Sequence, residues 1–337
     1  MGDKVLKFDE PVYISGWASV VGKKEYEGPL GSYFDIHDLT DKFGMKTWEL
    51  AEGEMQRIAL RTALAKASAR EREVELLFAG DLQNQCVGSG YGLLSFDIPY
   101  LGLYGACSTA AEGLLLAAMS VSSGFAEQAA AVTSSHNCAA ERQYRTPLEY
   151  GAQRSPTAQW TVTGAGAFLV GRSGGVRIRE AMPGIVVEKG VRDASNMGAA
   201  MAPAAADTLC RYFRTTGLTP ESFDMILTGD LGEEGGNILC ELMRSEGFDL
   251  APCYRDCGTV IYDPVRQDMH AGGSGCGCSA VVLASFLCPK LESGELGDIL
   301  LIGTGAMMSP SGLLQGEAIP AVAHLIRLGG EERRRRR

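Results

Sequence analysis

Positive charge is in short supply in this sequence. Its 337 residues carry 31 Lys and Arg against 41 Asp and Glu, a net charge of −10 at pH 7. That balance argues against general nucleic-acid binding, and any anion site must be a local basic or helix-terminal feature. No basic patch of the kind that holds coenzyme A is evident either. An apolar leader is also missing: the opening Met1–Tyr13 stretch, MGDKVLKFDEPVY, is charged and has no secretory core. Ten cysteines in that setting read as reduced thiols rather than a disulfide framework. Uninterrupted hydrophobic runs are lacking too. Residues 271–289 and 299–316 carry no charge, but Gly, Ser and Pro punctuate both, so they read as core strands and turns rather than membrane spans. The expectation is a soluble protein on the intracellular side. Histidine is scarce, with four in the chain, so the placement of each is informative.

What is present is an ordinary globular balance, 45% hydrophobic and 21% charged, with 43 glycines that suit tight strand-to-helix turns. Residues 11–20 alternate like a first strand. Residues 22–47 read as a polar surface excursion. Trp48 to Arg70 has helical spacing, with Leu50, Met55, Ile58, Ala59 and Ala63 on one stripe. Val74–Ala79 reads as a buried strand, Ala129–Thr133 as another, and Trp160–Val170 as a third. The second half echoes the first. Leu76–Leu82 is repeated by Met225–Leu231, Gly105–Ala110 by Gly275–Ala280, and Ala130–Ser134 by Leu300–Thr304, with a helix ahead of the first echo each time. The shared order implies a duplicated α/β fold, divided at residues 1–172 and 173–330, with 331–337 a disordered arginine tail.

The chain is organised around residues 98–124. An extended apolar approach reaches Gly105-Ala106-Cys107-Ser108-Thr109-Ala110, and an Ala/Leu-rich helix follows. Cys107 at the bend is placed where a helix N-terminus stabilises a thiolate. His270, in Met269-His270-Ala271-Gly272-Gly273, sits just ahead of the second elbow. If the elbows face a common seam, the two form an activated-thiol pair. The pairs Cys253/Cys257 and Cys276/Cys278 lack the spacing of a zinc site, and no metal is expected. Asp81 and Asp230 read as strand-end turn caps, with calcium ligation the alternative.

These motifs resemble the thiolase superfamily, which includes ketoacyl synthases: Cys107 in its elbow, Thr163-Gly164-Ala165-Gly166-Ala167, and the His270-Ala271-Gly272-Gly273 loop. The resemblance implies duplicated βαβαβαββ halves in a five-layer αβαβα arrangement. It also implies a homodimer paired through the strand near Ala129–Asn137. Longer blocks, Pro156–Ala167 and Asp268–Ala280, together with Gly28–Gly31, Ala79–Leu82 and Thr133–Asn137, resemble a sporulation branch of that superfamily from spore-forming bacteria. That branch implies a non-catalytic protein with no cofactor. Its ligand would be dipicolinic acid or the calcium chelate, and it would assist uptake into the developing spore. It would work with membrane proteins of the same channel complex, on the cytoplasmic side of the inner spore membrane.

The missing chemistry agrees with that implication. Thiolases carry a second cysteine as acid/base, and the matching stretch here places Leu301 at it. The other superfamily partner, an Asn or His, falls near Gly229-Asp230, where an ionised Asp230 would oppose an oxyanion. The expected ligand-binding residues are Cys107, His270, His136, Asp230 and Arg154, with Arg142 and Arg145 on the same loop as further candidates. An active acyltransferase of the thiolase or ketoacyl-synthase type, using Cys107, is the alternative. A scaffold retained only for assembly is the third reading.

Overall fold

The computed structural model describes residues 4–144 and 154–330. Among them thirteen strands are numbered in chain order: β1 (Leu6–Val21), β2 (Ile36–His37), β3 (Leu76–Gly80), β4 (Tyr100–Leu103), β5 (Gln128–Ser135), β6 (Trp160–Thr161), β7 (Gly164–Gly171), β8 (Val176–Met182), β9 (Met225–Thr228), β10 (Tyr254–Asp256), β11 (Gly273–Ser274), β12 (Asp298–Ala306) and β13 (Ala321–Gly330). Ten of them form one path, β4-β3-β5-β7-β1-β8-β13-β12-β9-β10, with β2 beside β1 and a separate β6-β11 pair. In the first half β3 runs parallel to β4 and β5, and β7 and β1 follow antiparallel. In the second half β9 runs parallel to β10 and β12, and β13 and β8 follow antiparallel. The two orders are the same. All three sequence echoes fall on equivalent elements: β3 with β9, β5 with β12, and the two elbows.

Period-2 side-chain alternation builds the layers. Along β12, Ile299 and Leu301 enter the central core, while Leu300 and Ile302 join an outer one. Along β5, Ala129 and Ala131 face the centre, and Ala130 and Val132 face outward. The helix Thr109–Ser122 and the helical run Cys276–Ser293 fill the middle, packed on strands of the first half, with Thr109–Ser122 also reaching β12 and β13 and the end of the second run reaching β13 and β8. The Trp48–Lys66 helix covers the outer face of the first half, and Met197–Thr216 that of the second. Thr47 and Asn196 cap these two helices, accepting from Leu50 N at 3.2 Å and Ala199 N at 3.2 Å. Each fully buried Leu or Ile in these layers contributes roughly 1.5–3 kcal/mol.

Several expectations need correcting. Trp160–Val170 is not one strand: Trp160–Thr161 leaves the main sheet to pair with β11, and β7 starts at Gly164. Residues 271–289 are mostly helical rather than strand and turn. The run Cys276–Ser293 is long and apolar enough to cross a membrane, yet it is mostly buried in the fold, as a core helix is. Strand β5 cannot be a dimer edge, because β3 occupies one side and β7 the other. The first half's edge is β4, where Tyr100, Leu101 and Tyr104 are exposed. The arginine tail lies outside the described residues.

Candidate functional site

The elbow before the Thr109–Ser122 helix is held by its own small side chains. Ser108 Oγ donates to the Gly105 carbonyl at 2.7 Å, and Thr109 Oγ1 donates to the Ala106 carbonyl at 2.7 Å. Ala106 carries a left-handed φ of +52°, an unusual conformation for a residue with a Cβ. Strand β12 of the other half docks against this bend because it has glycine there. A Cβ on Gly305 would lie 2.6 Å from the Gly105 carbonyl oxygen.

Cys107, 7% exposed, reaches the wall of a cavity of about 520 Å³ between the halves. First-half residues on that wall include Leu82, Tyr104 and Tyr144. The second half brings Met197, Ser274, Met307 and Met308, and Arg154, Ser155, Gln159 and Thr161 close the side between. Arg154 and Glu141 are the charged side chains among its described lining. Tyr144 Oη donates to the Leu82 carbonyl at 2.8 Å and lies 3.0 Å from Tyr104 Oη, so the phenols form one hydrogen-bonded edge.

Electrostatics around Cys107 run against an activated thiolate. Burial pushes its thiol well above the ordinary range, and the facing Asp230 carboxylate pushes it further. Asp230 is buried behind Cys107 rather than on the cavity's described lining. It accepts from Gly275 N at 2.9 Å and from Thr304 Oγ1 at 2.7 Å. Burial raises its own carboxyl to about 7. The helix-terminus argument for a thiolate is therefore corrected: desolvation and a facing acid outweigh the dipole.

His270 does not complete a pair with Cys107 and is not on the cavity wall. Its backbone is left-handed, φ +50°, and its ring is turned aside, Nδ1 2.6 Å from the Ser155 carbonyl and Nε2 3.2 Å from Asp268 Oδ1. His136 is also elsewhere. It is buried beside Trp48, with Nε2 2.8 Å from the Asp41 carbonyl, and Nδ1 accepts from Cys138 N at 3.2 Å. Burial lowers its pKa, so it stays neutral. Leu301 is a mid-strand core residue. At the cavity end of β12 stand Ala306, Met307 and Met308, which can no more move a proton than leucine can.

Of the loop arginines, Arg154 lines the cavity. Its Nη2 donates to the Asp268 carbonyl at 2.6 Å and to Asp268 Oδ2 at 3.0 Å, and its guanidinium lies 5.1 Å over the Trp160 ring. Its Nη1 is buried and has no partner among the described residues. Arg142 instead pairs with Glu49 at 3.2 Å on the solvent side, and Arg145 lies outside the described residues. Asp81 is a turn cap, accepting from Gln83 N at 2.8 Å and from Ser89 N at 2.7 Å. The sequence reading missed Gln159, Tyr104, Tyr144 and the two methionines. Two of these had a signal: Gln159 as a polar residue inside the Pro156–Ala167 block, and Tyr104 as the residue that leads into the Gly105–Ala110 elbow.

Comparison with known proteins adds the following. The family model of stage V sporulation protein AD matches residues 2–329. Stage V sporulation protein AD of Bacillus subtilis (strain 168) is 41% identical over 324 residues, 96% of this chain and 96% of that protein. Cerulenin-bound OleA of Xanthomonas campestris aligns over 98% of this chain and 99% of its own, with TM-score 0.59 and 16% identity. The 3-oxoacyl-(acyl carrier protein) synthase III, FabH, of Xanthomonas oryzae aligns over 96% and 100%, with TM-score 0.58 and 15% identity. At those identities the two structures speak for a thiolase-like fold alone. On the sequence match, the chain belongs to the stage V sporulation protein AD family, built on that fold.

Proposed function

We propose that this chain binds dipicolinic acid, alone or as its calcium chelate, in the cavity beside Cys107 and does not turn it over. In this reading the bound acid is handed on for uptake into the developing spore. The partners are membrane proteins of the same channel complex, on the cytoplasmic side of the inner spore membrane. The observation that carries the reading is Arg154: a cation on the cavity wall, aligned by Asp268 and Trp160, whose Nη1 is buried without an acceptor among the described residues. A carboxylate entering the cavity would supply that acceptor in a charge-assisted bond. The mixed wall suits a flat aromatic acid, with the phenols of Tyr104 and Tyr144 and the thioethers of Met197, Met307 and Met308 in its lining.

The acyltransferase alternative keeps Cys107 and the elbow. Against it, the thiol is raised, the facing group is an acid, and His270 is turned away. We also read the chain as a homodimer joined at β4, since that strand ends the sheet among the described residues and is partly apolar.

Equilibrium dialysis against dipicolinate, with and without calcium, tests the reading. Saturable binding that weakens roughly tenfold to a hundredfold in Arg154→Gln is expected, the loss of a charged hydrogen bond. No saturable uptake, or an acyl adduct on Cys107 in intact-mass analysis after incubation with acetyl-CoA, would overturn it.

A further inference from the structure

The cavity wall holds a second unpaired group, of the opposite hydrogen-bonding sense. Gln159 is 7% exposed. Its Nε2 donates to the Asp230 carbonyl at 2.7 Å and to the Gly273 carbonyl at 3.0 Å. Two carbonyl acceptors fix which end of the amide is nitrogen. The backbone on either side is held as well, because Trp160 N donates to the Gly272 carbonyl at 2.8 Å in the β6-β11 pairing. Gln159 Oε1 is left buried with no donor among the described residues. A buried amide oxygen in that state lowers stability unless something supplies a hydrogen. Arg154 Nη1 needs an acceptor and Gln159 Oε1 needs a donor, and the two are not bonded to each other.

We propose that Gln159 sets the ligand specificity of this cavity: the occupant accepts a hydrogen bond from Arg154 and donates one to Gln159 Oε1. This rests on the reading of the cavity as an anion site and adds a requirement to it. A bare dicarboxylate satisfies Arg154 but presents only lone pairs to Gln159. The shared chemistry that satisfies both is a carboxylate with an O–H or N–H nearby on the same flat framework. A retained proton on a second carboxyl or a ring nitrogen supplies that hydrogen. So does a water coordinated to a chelated cation.

Binding to the purified chain is measured by titration calorimetry at pH 8. The probes are isophthalate, which has no donor, and its monoamide, which offers an amide N–H in the same shape. The monoamide is expected to bind at least about fivefold more tightly, Gln159→Leu to abolish the difference, and Arg154→Gln to weaken both probes alike. Equal affinities in the wild type, or a preference that survives Gln159→Leu, would overturn the assignment. The wild-type comparison needs no variant, so a misfolded Gln159→Leu cannot hide the answer. Dipicolinate at pH 5, at pH 8 with a chelator, and at pH 8 with calcium then separates the retained proton from the coordinated water. If dipicolinate binds but no donor preference exists, the anion site stands and the role of Gln159 falls. If no aromatic carboxylate binds, both fall.

Discussion

The elbows at Gly105–Ala110 and Gly275–Ala280 occupy equivalent places in the two halves, and an acid from the opposite half backs each one. Asp230, which follows β9, faces Cys107. Glu52 and Asp81, at the end of β3, act on Cys276. The repeat that aligns these elbows sets Gly277 against Cys107 and Ser135 against Gly305. At the second elbow a Cβ on Gly277 would lie 2.5 Å from the Gly164 carbonyl oxygen and 2.6 Å from Ser135 Oγ, so no side chain fits. Cys276 is fully buried there, its thiol donating to the Ser134 carbonyl at 2.9 Å. At the first elbow a thiol reaches the cavity wall. One bend is packed solid and the other lines a cavity. The local motif is shared, and what packs against it decides the use.

The acids behind the elbows give the largest expected effect. Burial raises Asp230 from 3.8 to about 7, and burial followed by the charge of Asp81 raises Glu52 well above its ordinary range. A carboxyl with a raised pKa holds its proton more tightly folded than unfolded, so stability is greatest below the unfolded pKa and is lost as pH climbs toward the folded one. At about 1.4 kcal/mol per pK unit, Asp230 alone costs the fold of the order of 4 kcal/mol above pH 7 relative to pH 4. Urea unfolding between pH 4 and pH 8 should show that decline. Glu52→Gln, which removes a titrating partner of Asp81 while keeping an acceptor for Ser134, should make it shallower. A stability that rises over this range would mean that neither elbow is backed by a protonated acid.

Gly277→Ala is the next largest. The added methyl meets the Gly164 carbonyl oxygen at 2.5 Å and Ser135 N at 2.9 Å as well as Ser135 Oγ, and backbone atoms cannot turn aside, so about 3 kcal/mol of destabilisation is expected in denaturant unfolding. A near-neutral result would show that the second elbow has room and that the contrast with Cys107 is not steric. A smaller effect tests the first elbow itself. Iodoacetamide should modify Cys107 at pH 7 about tenfold more slowly than a free thiol, and Asp230→Asn, which removes the facing charge, should speed it. Rapid labelling of the wild type would restore the thiolate and, with it, the acyltransferase reading.

The duplication was legible because its echoes are contiguous strand-and-turn segments, where chain order carries the signal. Cys107 and Arg154 were legible for the same reason, each lying next to a readable motif. Strand order was not. Nothing within 129–137 says that β3 and β7 flank it, so an interior strand was read as a dimer edge. The Cys107 thiol is raised first by burial and then by Asp230, which arrives from 123 residues further along the chain. Gln159 became visible only with its two carbonyl partners in place.

His270 offers the smallest expected effect and the sharpest division between a catalytic elbow and a binding wall. Where an elbow cysteine works by acyl transfer, the neighbouring histidine is part of the chemistry, and its removal costs orders of magnitude. Here left-handed residues on either side of Met269, Asp268 (φ +54°) and His270 (φ +50°), swing the ring toward Ser155, and its contacts are a backbone carbonyl and a side chain of its own loop. It touches the cavity only through Ser155 and, by way of Asp268, Arg154. His270→Ala should therefore change dipicolinate affinity by less than about twofold, the size of an exposed polar contact, while Arg154→Gln under the same conditions weakens it at least tenfold. If the two variants lose binding equally, the Ser155–His270 contact is what places Arg154. If His270→Ala alone abolishes binding, the ring must swing into the cavity when ligand enters, and the contrast drawn between the two elbows would have to include a histidine shared across the seam.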